Sequence, residues 1–121
     1  MLRDPRLRLA DIVQYADAAV AFVRGMTREE FERDVRTQHA VKYALLVVGE
    51  ATKHVPQALR DRRPGAAWKR AAGFRDHAAH GYETLDLDII WALLHGPLRV
   101  YRDAVASLLA EVDAEAGDGG A

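Results

Sequence analysis

The sequence predicts an all-α bundle of four to five helices. Three observations predict it. Apolar residues recur at three- and four-residue steps over most of the chain, no stretch alternates as a half-buried strand does, and glycine, proline and capping residues fall where the stripes end. The length of 121 residues suits one domain. Half the residues are hydrophobic and 29% are charged, a balance that folds rather than staying disordered.

The first helix spans about residues 7 to 24, with its stripe on Leu9, Ile12, Val13, Ala16, Ala19, Val20 and Val23. Gly25 follows at the place where a left-handed cap favours glycine. Thr27-Arg28-Glu29-Glu30 reads as a capping box for a short helix through Phe31 and Val35, which runs on or bends into a long one. Val41, Leu45, Val48 and Thr52 line one side of the long helix, beside Ala44, Val47 and Ala51, and Pro56 marks its end. Residues 56 to 65 read as a loop or irregular turn, and residues 66 to 80 as a third main helix. The last helix runs from about Leu87 to Val112, its stripe on Ile90, Leu93, Pro97, Val100, Ala104 and Leu108. Pro97 lacks a backbone donor and crowds the preceding turn, so a kink is expected there. Residues 1–112 form the expected domain. Residues 113–121 have no apolar face and read as a disordered tail.

Composition excludes several chemistries. Without cysteine there is no disulfide, thiolate metal site or cysteine nucleophile. No apolar run approaches the roughly 20 residues of a membrane span, and no signal-like segment opens the chain, so a cytoplasmic protein without membrane contact is expected. The net charge of -1 gives no basic surface as a whole, so any polyanion site must come from local clustering. Arg60, Arg62, Arg63, Lys69, Arg70 and Arg75 make such a cluster, with only Asp61 among them as counter-charge. It reads either as a binding face, with Lys69 and Arg70 as RNA contacts, or as a solvated helix and loop.

The stretch GFRDHAAHGYETLD, residues 73–86, concentrates chemistry. Histidine serves as general base and then general acid near neutral pH, and arginine offers a planar fork matched to phosphate oxygens. Together they suffice for RNA cleavage without a metal or cofactor. The histidine takes the ribose 2′-OH proton, that oxygen attacks phosphorus, and the arginine stabilises the phosphoryl charge. At about 100° per residue, however, Arg75 and His80 lie roughly 140° apart on a continuous helix. Either the helix breaks near Gly81, or a second copy completes the site across a two-fold axis. His77 and His80, three apart, suit a shared metal, but no third ligand stands at suitable spacing, so no metal site is expected. Gly49 sits inside a helix at a cost of about 1 kcal/mol relative to alanine, which points to close packing by a neighbour. Glu50 would then face the motif and help position Arg75. Trp68, Phe74 and Trp91 read as core or interface anchors, and His39, His54 and His95 as structural or exposed.

RDHAAH followed by GY resembles the Arg-x4-His-x-Tyr motif of the HepT-like HEPN family, with Arg75, His80 and Tyr82 at the named positions. GMTREEFERD (25–34), GEATK (49–53), Trp68, GFRD (73–76) and LDIIW (87–91) follow the same family's order and approximate spacing, so the resemblance covers about residues 8 to 108. It implies a HEPN-type helical bundle and a symmetric homodimer whose Arg and His motifs face one cleft. It implies a metal-independent ribonuclease acting as the toxin of a toxin–antitoxin pair. The implied partner is a minimal nucleotidyltransferase antitoxin of the MntA kind, which transfers AMP to the motif tyrosine, here Tyr82. Two positions depart from the pattern: Asp76 stands where asparagine is common, and Ala67 where proline precedes the tryptophan. Asp76 is expected to pair with Arg75 or to orient His80, and also to repel phosphate. The alternative reading is a non-catalytic helical module that docks the nucleotidyltransferase or binds nucleotide.

Overall fold

The computed structural model describes residues 4–80 and 86–119, with the backbone alone at residues 76–80 and 118–119. The described residues form seven helices and no strand: α1 (Pro5–Phe22), α2 (Arg28–Arg33), α3 (Val35–Lys53), α4 (Gln57–Arg60), α5 (Trp68–His80), α6 (Leu87–Leu94) and α7 (Pro97–Gly119). This is the predicted all-α bundle, with one short helix, α4, added and the last helix divided. None of these helices is long and apolar enough to cross a membrane.

Helix α3 lies at the centre, packed on α1 and α5, while α7 closes the other side of α1. The core follows the predicted stripes: Leu9, Ile12, Ala16 and Ala19 of α1 meet Val41, Leu45, Val48 and Ala51 of α3, all buried. Gly25 adopts φ 78 just past α1, a conformation that glycine enters without a Cβ penalty. The capping box forms in full. Thr27 Oγ1 accepts from the Glu30 amide at 3.1 Å, and Glu30 Oε1 accepts from the Thr27 amide at 2.9 Å.

Between α2 and α3 the chain bends rather than running on. Asp34 leaves the helical region, and its carboxylate accepts from the Thr37 amide at 3.0 Å, which starts a new helix. That hydrogen bond, more than any other contact, holds the Asp34 carboxyl below its ordinary range. Buried Gln38 donates to the Phe31 and Glu32 carbonyls at 2.9 and 3.1 Å, closing the end of α2. Phe31, fully buried, then packs 5.5 Å from the Trp91 ring of α6.

Two expectations are corrected. The segment after Pro56 is not wholly irregular, because Gln57–Arg60 make a turn of helix. The kink at Gly96-Pro97 is a full break between α6 and α7. It resets the apolar phase, so Leu98, Tyr101, Val105 and Leu108 are buried while Val100 is 72% exposed. Helix α7 itself runs on through residues 113–119. Its acidic face meets basic partners: Glu115 accepts from Arg62 at 2.7 Å, and Glu111 from Arg63 at 3.3 Å.

Candidate functional site

Gly49 decides where the motif helix crosses. A Cβ built there would stand 2.5 Å from the Arg75 amide nitrogen, 3.0 Å from its Cβ and 3.1 Å from the Ala71 carbonyl. The obstacles are mostly backbone and cannot swing aside, so only glycine lets α5 lie this close to α3. The close approach that a helical glycine suggested is therefore present, and it falls at Arg75.

The next residue uses that proximity. Glu50 Oε2 meets Arg75 Nε at 3.0 Å, and Glu50 Oε1 meets His54 Nε2 at 3.1 Å. The three side chains are each roughly half exposed, at 44–51%. Glu50 and Arg75 sit on the wall of an open groove of about 540 Å³, lined also by Arg8 and Asp11 of α1 and by Tyr43, Leu46, Val47 and Ala51 of α3. The Tyr43 ring stands edge-on to Tyr15, with centroids 6.3 Å apart. The groove thus offers a guanidinium on a partly apolar wall, open to a solvent-borne phosphate.

Helix α5 continues unbroken from Trp68 to His80. Its backbone register therefore keeps Arg75 and His80 about 140° apart. The side chains of Asp76, His77 and His80 lie outside the described residues, as do Gly81 and Tyr82 entirely. Lys69 and Arg70 are exposed on the same helix.

The basic cluster does not survive as one patch. Arg60 donates to the Thr52 and Val55 carbonyls at 2.6 and 3.1 Å and lies 5.9 Å from the Trp68 ring centre. Arg62 and Arg63 face Glu115 and Glu111 of α7. The sequence lists only Asp61 as a counter-charge, but the missing carboxylates arrive from about 50 residues away. Pairing with Glu115 holds the Arg62 guanidinium above its ordinary range. Trp68 is buried, and Phe74 and Trp91 pack partly buried against the core, which suits anchors.

Sequence reasoning passed over His54. The signal was there: Glu50 and His54 are four apart on a helix, the spacing that stacks side chains on one face. Arg8, Asp11 and Tyr43 carried no such signal, because only packing brings α1 to the groove.

The profile described as "HepT-like: Ribonuclease HepT-like" matches residues 12–108. The chain belongs to the HepT-like ribonuclease family. This HepT-like chain is 36% identical over 92 residues to "Putative RNase MJ0127" of Methanocaldococcus jannaschii, covering 76% of each protein. It is 33% identical over 91 residues to "Probable ribonuclease HepT" of Thermococcus cleftensis, covering 75% of this chain and 83% of that one. "Putative RNase TTE0752" of Caldanaerobacter subterraneus is 32% identical over 90 residues, covering 74% and 80%. No solved structure matches the HepT-like chain. The matched span includes α3, with Gly49 and Glu50, and the whole 75–82 motif.

Proposed function

We propose that this protein is a metal-independent endoribonuclease and the toxin of a toxin–antitoxin pair. The observation that carries the reading is the family match across residues 12–108, with Arg75 of the motif held at 3.0 Å by Glu50 beside an open groove. His80 takes the proton from a ribose 2′-OH, and the oxygen so freed attacks the adjacent phosphorus. Arg75 stabilises the charge gathering on the phosphoryl oxygens. The 5′-oxygen leaves with a proton from an acid, giving a 2′,3′-cyclic phosphate and a 5′-hydroxyl. Glu50 positions Arg75, Asp76 supports the pair, and Lys69 and Arg70 contact the RNA backbone.

The 140° register between Arg75 and His80 favours a homodimer, in which one protomer's arginine and its partner's histidine face the same phosphate. A nucleotidyltransferase antitoxin silences the site. The Tyr82 hydroxyl attacks the α-phosphorus of ATP, pyrophosphate leaves, and AMP stays on Tyr82. The added negative charge and bulk, two residues from His80, repel the RNA phosphate.

The test is incubation of unmodified protein with RNA in EDTA, beside His80→Ala prepared in the same way. Cleavage by the first and not the second supports the reading. Cleavage by neither, with intact mass free of adducts and a stable complex with the nucleotidyltransferase, would favour the non-catalytic docking module instead. For the modification, co-expression should add AMP-sized mass steps that Tyr82→Phe lacks. Mass gain on that variant would remove Tyr82 from the scheme.

A further inference from the structure

The Glu50 carboxylate has two oxygens, and each is engaged by a different basic group. Oε1 faces His54 Nε2 at 3.1 Å, and Oε2 faces Arg75 Nε at 3.0 Å. An ionised carboxylate only accepts, so both nitrogens donate to it. The contact with His54 fixes the plane of the carboxylate, and that plane fixes the direction from which Arg75 is held. Gly49 removes the other source of play, because it seats the Arg75 backbone directly on α3.

The charge arithmetic is simple. With neutral His54 the trio sums to zero, one guanidinium against one carboxylate. With protonated His54 it sums to +1. A second cation on Oε1 also weakens the hold of Oε2 on Arg75, so more of the guanidinium's attraction is available to a phosphate. Histidine is the side chain that makes this change between about pH 5 and 8.

We propose that His54 is a positioning residue for Arg75, acting through Glu50, and that its protonation strengthens the arginine's grip on RNA phosphate. The claim about RNA rests on the reading of Arg75 as the phosphate-binding arginine. The other charged groups around the trio are Arg8 and Asp11 of α1, which share the groove, and Lys53 beside His54 on α3. Arg60 of α4 is engaged with the Thr52 and Val55 carbonyls, and Gln57 donates to Asp61 at 2.8 Å. On α5, His77 and His80 follow Arg75 in sequence. They are present in every variant below, so comparison with wild type isolates His54.

The experiment uses the full chain, labelled with ¹³C and ¹⁵N, as wild type, His54→Gln and His54→Lys. The Glu50 carboxyl carbon and the Arg75 Nε signals are followed from pH 5.5 to 8.5. In wild type both should move together with the His54 ring signals. In His54→Gln neither should show that transition, and in His54→Lys both should stay near the wild-type low-pH position. Unaltered movement in His54→Gln would overturn the proposal. Loss of cleavage in Arg75→Ala would still leave the ribonuclease reading standing in that case. A second arm measures the dissociation constant of a 2′-O-methyl RNA, which has no 2′-hydroxyl to react. Wild type should bind about two- to fivefold tighter at pH 5.5 than at pH 8.5, beyond any change in His54→Gln, the range that an exposed ion pair supports. Equal pH dependence in the two would overturn the phosphate part. Coupled signals without RNA cleavage by any preparation would uphold the positioning link and sink the ribonuclease reading.

Discussion

Two arginines flank the contact between α3 and α5, and they are held in opposite ways. Arg60 gives its guanidinium to two main-chain carbonyls, Thr52 at 2.6 Å and Val55 at 3.1 Å, and lies over Trp68. Thr52 lies in the last turn of α3 and Val55 just past its cap, so Arg60 ties down the end of that helix. Behind it, Trp68 donates to the Arg63 carbonyl at 2.9 Å and meets Tyr101 edge-on, with centroids 5.5 Å apart. Tyr101 and Thr52 share a buried hydrogen bond of 2.7 Å. Arg75, by contrast, meets a side-chain carboxylate on an open groove. Fixed backbone acceptors in a packed corner make a structural arginine. A movable acceptor beside solvent makes one that can turn to a ligand. The same residue type at the same helix pair is sorted by what accepts from it.

The sharpest way to break this comparison is to remove each arginine. Arg75→Ala should lower RNA cleavage by about 100-fold or more, the scale of a lost charge-stabilising group, while thermal unfolding stays within a few degrees of wild type. Arg60→Ala should do the reverse, lowering the unfolding midpoint while unmodified, folded protein still cleaves. Equal loss of cleavage in two stably folded variants would erase the distinction.

Next in size is the crossing itself. Gly49→Ala puts a methyl group into the Arg75 backbone and should cost about 1–3 kcal/mol in urea unfolding. A smaller cost would mean that α5 shifts freely, and that Arg75 is not fixed by the packing on α3.

The packed corner carries its own pH signature. Burial pushes the Tyr101 hydroxyl up to about 12, against the lowering effect of its hydrogen bond to Thr52. The folded state keeps this proton longer than the unfolded chain, whose tyrosine ionises near 10. The resulting stability is therefore complete below about pH 10 and is lost as pH rises towards 12, on the order of 2 kcal/mol. Tyr101→Phe should show a shallower loss than wild type over that window in alkaline urea titrations. Parallel curves would place the hydroxyl in a wetter site than the packed corner.

The smallest effect should come from Arg62→Ala. It releases Glu115, so amide exchange should quicken in residues 113–119 of α7 while the core amides keep their protection. Unchanged exchange would show that the ion pair is incidental to the helix end.

Most of the scaffold was legible in the sequence because it rests on local rules. The stripe of α1, the Thr27–Glu30 box and the turn at Gly25 need only helical spacing and backbone conformation. The candidate site was legible in part for the same reason, since Gly49 inside a helix announced a close neighbour and Glu50 followed it. The identity of that neighbour was not local. It took packing to bring Arg75 to Gly49, to carry Glu111 and Glu115 to the arginines of the 60–63 turn, and to reset the phase after Pro97 so that Leu98 and Tyr101 face inward. The motif and the main helices were thus determined by the sequence alone, through period, caps and residue chemistry, though the break after Leu94 and the turn of helix at Gln57–Arg60 were not. Which arginine stays structural and which faces a groove was decided by the tertiary structure, because hydrogen-bond acceptors distant in sequence meet the guanidinium groups only once the helices have packed.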